Sequence, residues 1–333
     1  MIVKTELARV DPELRPVLGM LPPMSLTAET LETVRHLSAR RPPATKSESI
    51  EPEEVWIKGH ADGPQVRIIV FRPKSVAGLT AGILHIHGGG YVMGSADMDR
   101  AAHTANADTL GCIIVAVDYR LAPETSYPGA LEDCYAALHW LHGEAEQLGV
   151  DRQRIGVSGS SAGAGLAAAL ALFVRARGEA LIAFQHLAAP MIDDRTCLRP
   201  PNPHVGQYIW TPGNNLFGWT ALLGREPGGP DIPPFAAAAR EDDLKGLPPT
   251  YLAVGALDLF LQENLTFVNK LAQAGVAVEL HVYPGAFHGF LMVETAGVTR
   301  QATRDSLSAL ARFCQGRDPR RGARTTNRDI SRL

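Results

Sequence analysis

Arg154-Ile-Gly-Val-Ser-Gly159-Ser160-Ser161-Ala162-Gly163-Ala164-Gly165 decides how this chain is read. An apolar strand runs into G-x-S-x-G and straight on into an Ala-rich helix, the arrangement of a nucleophile elbow. A tight strand-to-helix turn needs residues without bulky side chains two before and two after the serine, and Gly159 and Gly163 supply them. The helix N-terminus then favours negative charge developing beside Ser161. The five-residue pattern alone recurs by chance, so the weight falls on its placement and on the sites around it.

Upstream, His85-Ile86-His87-Gly88-Gly89-Gly90-Tyr91 ends another apolar strand. Such a Gly run lets backbone N–H groups approach a reacting oxygen, and acyl transfer needs donors aimed where the tetrahedral oxyanion forms. Gly88, Gly89, Gly90 and Ala162 are therefore the candidate oxyanion hole, with donors expected from Gly89, Gly90 and Ala162.

Downstream, Tyr251-Leu-Ala-Val-Gly-Ala-Leu-Asp258 puts an aspartate just past a buried strand, and Tyr283-Pro-Gly-Ala-Phe-His288-Gly-Phe290 puts a histidine past the next. Both fall at strand C-terminal ends, where open α/β sheets form their sites. The order serine, acid, histidine is that of the hydrolase elbow enzymes, so Ser161, Asp258 and His288 are the candidate catalytic residues. Asp242 and Asp243 precede the acid strand, on the wrong edge of the sheet. Glu263 belongs to the following helix, as a brace. Asp193 and Asp194 read as structural or hinge residues, and His85 and His281, inside strands, as core or interface residues.

Short buried strands alternate with helices along most of the chain. Strands are predicted over residues 54–58, 66–72, 82–87, 112–118, 154–158, 182–187, 250–255 and 278–283, the first two as an antiparallel hairpin turning at Ala61-Asp-Gly-Pro64. Helices are predicted over 24–41, 128–148, 161–177, 259–274 and 293–313. This is an α/β protein with a mostly parallel sheet covered on both faces. Residues 193–240 interrupt the alternation with prolines and with Trp210, Phe217 and Trp219, as a lid or binding segment does. The expected organisation is an N-terminal cap element (1–50), a catalytic domain (51–192 and 241–315), a cap insertion (193–240) and a disordered basic tail (316–333). Tyr91, Trp210, Phe217 and Trp219 are the candidate substrate-binding residues of an apolar pocket limited by bulky rings.

The 333 residues are 45% hydrophobic and 20% charged, an ordinary globular composition, and the net charge of −3 gives no global positive field to hold a nucleic acid. Only the tail is basic, with Arg317, Arg320, Arg321, Arg324, Arg328 and Arg332 against Asp318 and Asp329; it reads as solvated. Cys112, Cys134, Cys197 and Cys314 have neither zinc-site spacing nor the density of a disulfide framework. Charges scattered through Met1–Pro23 leave no signal-peptide core, and no 18-residue apolar run occurs, so a cytoplasmic protein without membrane association is expected.

The chain resembles the bacterial hormone-sensitive-lipase-like esterases of the α/β-hydrolase fold, in particular those near heroin esterase. The segments carrying this are His87-Gly-Gly-Gly-Tyr91; Asp118-Tyr-Arg-Leu-Ala-Pro-Glu124 with Tyr127-Pro128 and Glu132-Asp133; Gly159-Ser-Ser-Ala-Gly163; Asp258; and Phe287-His-Gly-Phe290. They keep their order from about residue 50 to 314. The resemblance implies an α/β-hydrolase sheet with a helical cap, activity on short-acyl or aryl esters, a homodimer, and a structural brace under the oxyanion loop from residues 118–124. Two positions depart from the family: it often has Asp where Ser160 stands and Asp-Glu where Gln262-Glu263 stands.

The expected activity is hydrolysis of small carboxylic esters through an acyl-enzyme on Ser161, with no metal and no cofactor. Because a histidine base must be neutral, activity is expected to fall at acid pH. A thioesterase, amidase or lactonase uses the same constellation. A ligand-binding protein on the same scaffold usually lacks one of the three residues.

Overall fold

Runs of Val, Ile and Leu without polar alternation, such as Val66-Arg-Ile-Ile-Val-Phe71 and Ile113-Ile-Val-Ala-Val-Asp118, form strands buried on both faces. The computed structural model describes residues 7–21, 25–39, 51–75, 78–179, 181–200 and 202–316. Its centre is an eight-stranded sheet: β1 (Glu53–Ile57), β2 (Val66–Phe71), β3 (Thr80–Ile86), β4 (Ile113–Asp118), β5 (Val150–Ser160), β6 (Gln185–Ala188), β7 (Thr250–Gly255) and β8 (Val278–Tyr283). The spatial order is β1-β2-β4-β3-β5-β6-β7-β8. β2 is antiparallel to β1 and β4, and every pair from β4 to β8 is parallel.

Successive residues of a strand point to opposite faces, and the core divides accordingly. Ile68, Val70, Leu84, Ile86, Val115 and Val117 join one apolar cluster, beneath α4 (Gly129–Gly143) and α6 (Ala162–Ala176). Ile69, Phe71, Ile83, Ile114 and Ala116 join another, beneath α3 (Arg100–Leu110) and α9 (Gly297–Cys314). α8 (Leu261–Gln273) packs on β7 and β8, and α5 (Ala145–Leu148) leads into β5. The α/β-hydrolase architecture read from the sequence is the one observed.

Several boundaries differ from the sequence reading. α3 was not anticipated; its sequence Arg-Ala-Ala-His-Thr-Ala-Asn-Ala-Asp-Thr-Leu has no apolar stripe, and only His103 and Ala107 are buried. The helix expected over 128–148 divides at Glu144 into α4 and α5. The helix expected over 293–313 starts at Gly297, after a 3-10 turn at Phe290–Met292. β5 starts at Val150, before the predicted Arg154.

Within the N-terminal 50 residues, α1 (Arg15–Met20) and α2 (Leu31–Ala39) are helical. Val10 and Leu14 pack with Tyr208, Phe287 and Phe290, and the Asp11 N–H donates to the Gly285 carbonyl at 3.0 Å, so this segment supports the loop that carries His288. Leu26 reaches the other insertion: its N–H donates to Asn214 Oδ1 at 2.9 Å in α7 (Pro212–Leu223). Between β6 and β7 the chain also forms 3-10 turns at Asp194–Leu198 and Ala238–Arg240. The predicted disordered tail, apart from Gly316, lies outside the described residues. Cys112, Cys134, Cys197 and Cys314 are free thiols. Among the described residues no helix is long and apolar enough to cross a membrane.

Candidate active site

Ser161 stands between β5 and α6 with φ 53° and ψ −121°, a conformation that non-glycine residues rarely adopt. The strand and helix hold it there: Ser161 N–H donates to the Ala188 carbonyl at 2.8 Å, and its own carbonyl accepts from Met191 N–H at 3.1 Å. Close approach explains the two flanking glycines. A Cβ at Gly163 would lie 2.1 Å from the Ile86 carbonyl oxygen, and one at Gly159 would lie 2.6 Å from the Gly163 backbone. α6 therefore sits directly on the end of β3, beside the Gly-rich loop.

The residues that sequence order grouped are adjacent in space. His288 Nε2 lies 3.0 Å from Ser161 Oγ, and His288 Nδ1 lies 2.7 Å from Asp258 Oδ2. Asp258 is buried, and its other oxygen accepts from the Phe260 N–H at 2.9 Å. Rings enclose the imidazole: Phe260 meets it edge-on at 5.2 Å and Trp210 tilts against it at 6.2 Å. A nucleophile, a base and an orienting acid within hydrogen-bond reach can carry out nucleophilic attack on an acyl carbon.

The Gly-rich loop is pinned from below. Gly88 abuts Ser161, since a Cβ there would lie 3.4 Å from Ser161 Cβ. Gly89 (φ +123°) and Gly90 (φ +62°) turn the chain, and the space beside Gly90 is filled by the Trp210 ring. Ala162, the other candidate donor residue, is buried as the first residue of α6. Residues 118–124 provide the supports. Tyr119 Oη donates to the His87 carbonyl at 2.9 Å while its ring stacks on His87 at 4.1 Å, and Ala122 N–H donates to the Tyr91 carbonyl at 2.9 Å. Arg120 grips Asp133 at 2.8 and 3.0 Å, anchoring this segment to α4.

Of the four candidate substrate-binding rings, Trp210, Tyr91 and Trp219 are buried. Trp210 lies against Gly90 and His288, with its Nε1–H donating to Asn215 Oδ1 at 3.2 Å, and Phe217 is half-buried on α7. Tyr91 and Trp219 are enclosed behind the loop. They meet edge-on at 5.3 Å, Trp219 has 0% exposure, and Tyr91 Oη donates to the Met191 carbonyl at 2.7 Å. Burial holds the Tyr91 phenol well above its ordinary range, so it stays neutral. The chain Tyr91 to Met191 to Ser161 thus ties the Gly-rich loop to the elbow.

Glu263 is the brace that the sequence proposed, and its partners are now explicit. Its Oε1 accepts from the N–H groups of Ile192 (2.8 Å) and Asp193 (3.3 Å), and its Oε2 accepts from the Thr196 hydroxyl. Burial pushes its carboxyl up to about 8. Arg35, which sequence reasoning missed, reaches from α2 to donate to the Val92 carbonyl at 2.7 Å and the Ala122 carbonyl at 3.0 Å, and it pairs with Glu124 at 2.7 Å. Nothing in the local sequence marks it, because its partners lie 57 to 89 residues away. Asp242 and Asp243 lie on the surface, where Asp242 pairs with Lys270 at 3.1 Å.

Residues 83–292 match the alpha/beta hydrolase fold family. The chain is similar to Esterase LipI of Mycobacterium tuberculosis, 33% identical over 298 residues covering 88% of this chain and 91% of that one. It is also similar to Carboxylesterase NlhH of the same organism, 32% identical over 322 residues covering 91% and 96%. Among solved structures, Bacterial Heroin Esterase superposes with a TM-score of 0.85 at 37% identity, covering 92% of this chain and 99% of that one.

Proposed function

Because the chain belongs to the α/β-hydrolase fold family, in its hormone-sensitive-lipase-like branch, we propose that it is a serine carboxylesterase acting on small, short-acyl or aryl esters. The observation that carries this reading is the unbroken hydrogen-bonded row from Ser161 Oγ through His288 to buried Asp258. His288 takes the Ser161 proton as Oγ attacks the ester carbonyl, and Asp258 fixes the imidazole tautomer and stabilises the imidazolium. The oxyanion is received by backbone N–H groups of Gly89, Gly90 and Ala162, with Gly88 spacing the loop from Ser161. His288 returns the proton to the leaving alcohol, then activates the water that releases the acid.

Trp210 and Phe217 line the acyl or alcohol pocket in this reading, while Tyr91 and Trp219 shape it from behind. The described parts of the N-terminal segment and of the insertion between β6 and β7 together form the cap in this reading. The restriction to short chains is supported by the Trp210 ring, which occupies the space between Gly90 and His288. We further take the enzyme to be cytoplasmic and homodimeric. The second point is supported by the edge strand β8, where Leu280 and Val282 are exposed, and sedimentation analysis tests it.

The deciding experiment compares p-nitrophenyl acetate, butyrate, octanoate and palmitate with the wild type and Ser161→Ala. Turnover limited to the short esters and reduced about 10⁶-fold by the substitution is the expected result. Ser161→Ala activity within tenfold of wild type overturns the assignment. Wild-type turnover of thioesters or anilides in preference to esters moves the reading to a thioesterase or amidase.

A further inference from the structure

On the sheet face opposite the elbow helix, β3 carries a second group of polar residues that ester hydrolysis does not use. His85 follows Ile83 by two positions and so shares its face, beneath α3. The His103 ring, one of the two buried side chains of α3, meets the His85 ring at 4.2 Å and 60°. Asp99, the residue preceding α3, brings Oδ2 to 4.0 Å from His85 Nε2. One ligand atom from each of the three residues lies within 4.8 Å of the other two.

Two features single out this cluster. His85 Nε2 is buried without a hydrogen-bond partner, and a buried polar atom is ordinarily satisfied. An anionic group also faces it: the Asp99 carboxylate, whose charge acts on the His85 imidazole. Burial, with His103 adding to it at His85, lowers both histidines, His103 to about 4, so each imidazole is neutral and bears a lone pair for coordination.

We propose that His85, Asp99 and His103 form a binding site for a divalent transition-metal ion, zinc above all, that fastens the start of α3 to the strand leading into the Gly-rich loop. Two imidazoles and a carboxylate are a donor set that zinc accepts in a four-coordinate site whose last position holds water. Bonds of about 2.1 Å place tetrahedral ligand atoms roughly 3.4 Å apart, so the site closes by about 1 Å on binding. The Asp99 side chain, 38% exposed, gives a route for the ion. The role is structural and stands apart from the proposed ester hydrolysis.

The test uses the full chain stripped with EDTA and titrated with ZnCl₂ and CoCl₂, by calorimetry and by the visible absorption of bound Co²⁺. Wild type is expected to bind one equivalent at this site and to unfold at a higher temperature with zinc than without, since an ion that binds only the folded state stabilises it. Asp99→Asn and His103→Ala should each weaken that binding at least tenfold and abolish the zinc-dependent rise in Tm, while esterase turnover in the absence of metal persists as evidence of folding. If His103→Ala does not fold, the partly exposed Asp99→Asn carries the comparison. No stoichiometric binding to the wild type, or equal binding and equal stabilisation in Asp99→Asn, overturns the proposal.

Discussion

Asp194 and Arg240 stand at opposite ends of the segment between β6 and β7, and Arg240 closes it: its Nε donates to Asp194 Oδ1 at 2.6 Å and its Nη2 to Oδ2 at 2.9 Å. Asp194 is fully buried and also accepts from the Gly228 N–H, so the carboxylate draws both limbs of the insertion together at its base. Removing one partner of a buried pair leaves an uncompensated charge, which costs about 3 to 5 kcal/mol. Arg240→Ala should therefore lower unfolding stability in urea by about 3 kcal/mol. A loss below about 1 kcal/mol would place this pair with the weak surface bridges.

At Gly90 the constraint is steric. A Cβ there would meet Trp210 Cη2 at 2.0 Å in a backbone with φ +62°, so Gly90→Ala must displace the ring, the loop or both. Turnover should fall about 10² to 10³-fold, the range for losing one oxyanion donor. Trp210→Ala in the same chain should recover part of that loss by vacating the space, and should extend activity to longer acyl chains. Steady-state rates of the single and double variants on butyrate and octanoate esters check both points. No recovery in the double variant would assign the damage to backbone strain alone.

Glu263 gives a pH signature in stability. Its folded pKa, raised to about 8 by burial, exceeds the ordinary value of 4.5, so the folded state holds the proton more tightly than the unfolded one. Its contribution is fully present below about 4.5 and is lost as pH rises through about 8. Glu263→Gln keeps the acceptor for the Ile192 N–H without the titration. Thermal unfolding from pH 4.5 to 8 should show the wild type losing stability relative to this variant as pH rises. Parallel Tm curves would remove Glu263 as their source.

The chemistry was legible where it is local. G-x-S-x-G, the Gly run and the loops holding Asp258 and His288 each lie at the end of a short apolar strand, so hydropathy and turn residues together locate them. α3 was not legible, because packing of His103 and Ala107 rather than an apolar stripe holds it in place. Trp210, Tyr91 and Trp219 are all buried, and composition alone does not tell a ring that faces a pocket from one that backs its wall. Asp194 with Arg240, Arg35 with Glu124, and His85 with His103 are pairings between elements, and no local spacing encodes them.

Arg35 tests whether the N-terminal helix positions the Gly-rich loop. Its guanidinium binds the carbonyls of Val92 and Ala122, which flank the loop and its underlying support, and forms a bidentate pair with Glu124 at 2.7 and 2.8 Å. Glu124 is largely exposed, so the ion pair itself contributes little, and the two carbonyl bonds carry the effect. Arg35→Ala should lower kcat about ten- to hundredfold, as a loop displaced by a fraction of an ångström does, with a smaller change in KM. Glu124→Gln should leave kcat nearly unchanged. Arg35→Lys should not restore it, because one ammonium cannot span both carbonyls with the guanidinium's fixed fork. Equal losses in Arg35→Ala and Glu124→Gln would instead put the effect in the ion pair, and an unchanged kcat in Arg35→Ala would show that the supports from Tyr119 and Ala122 hold the loop without α2.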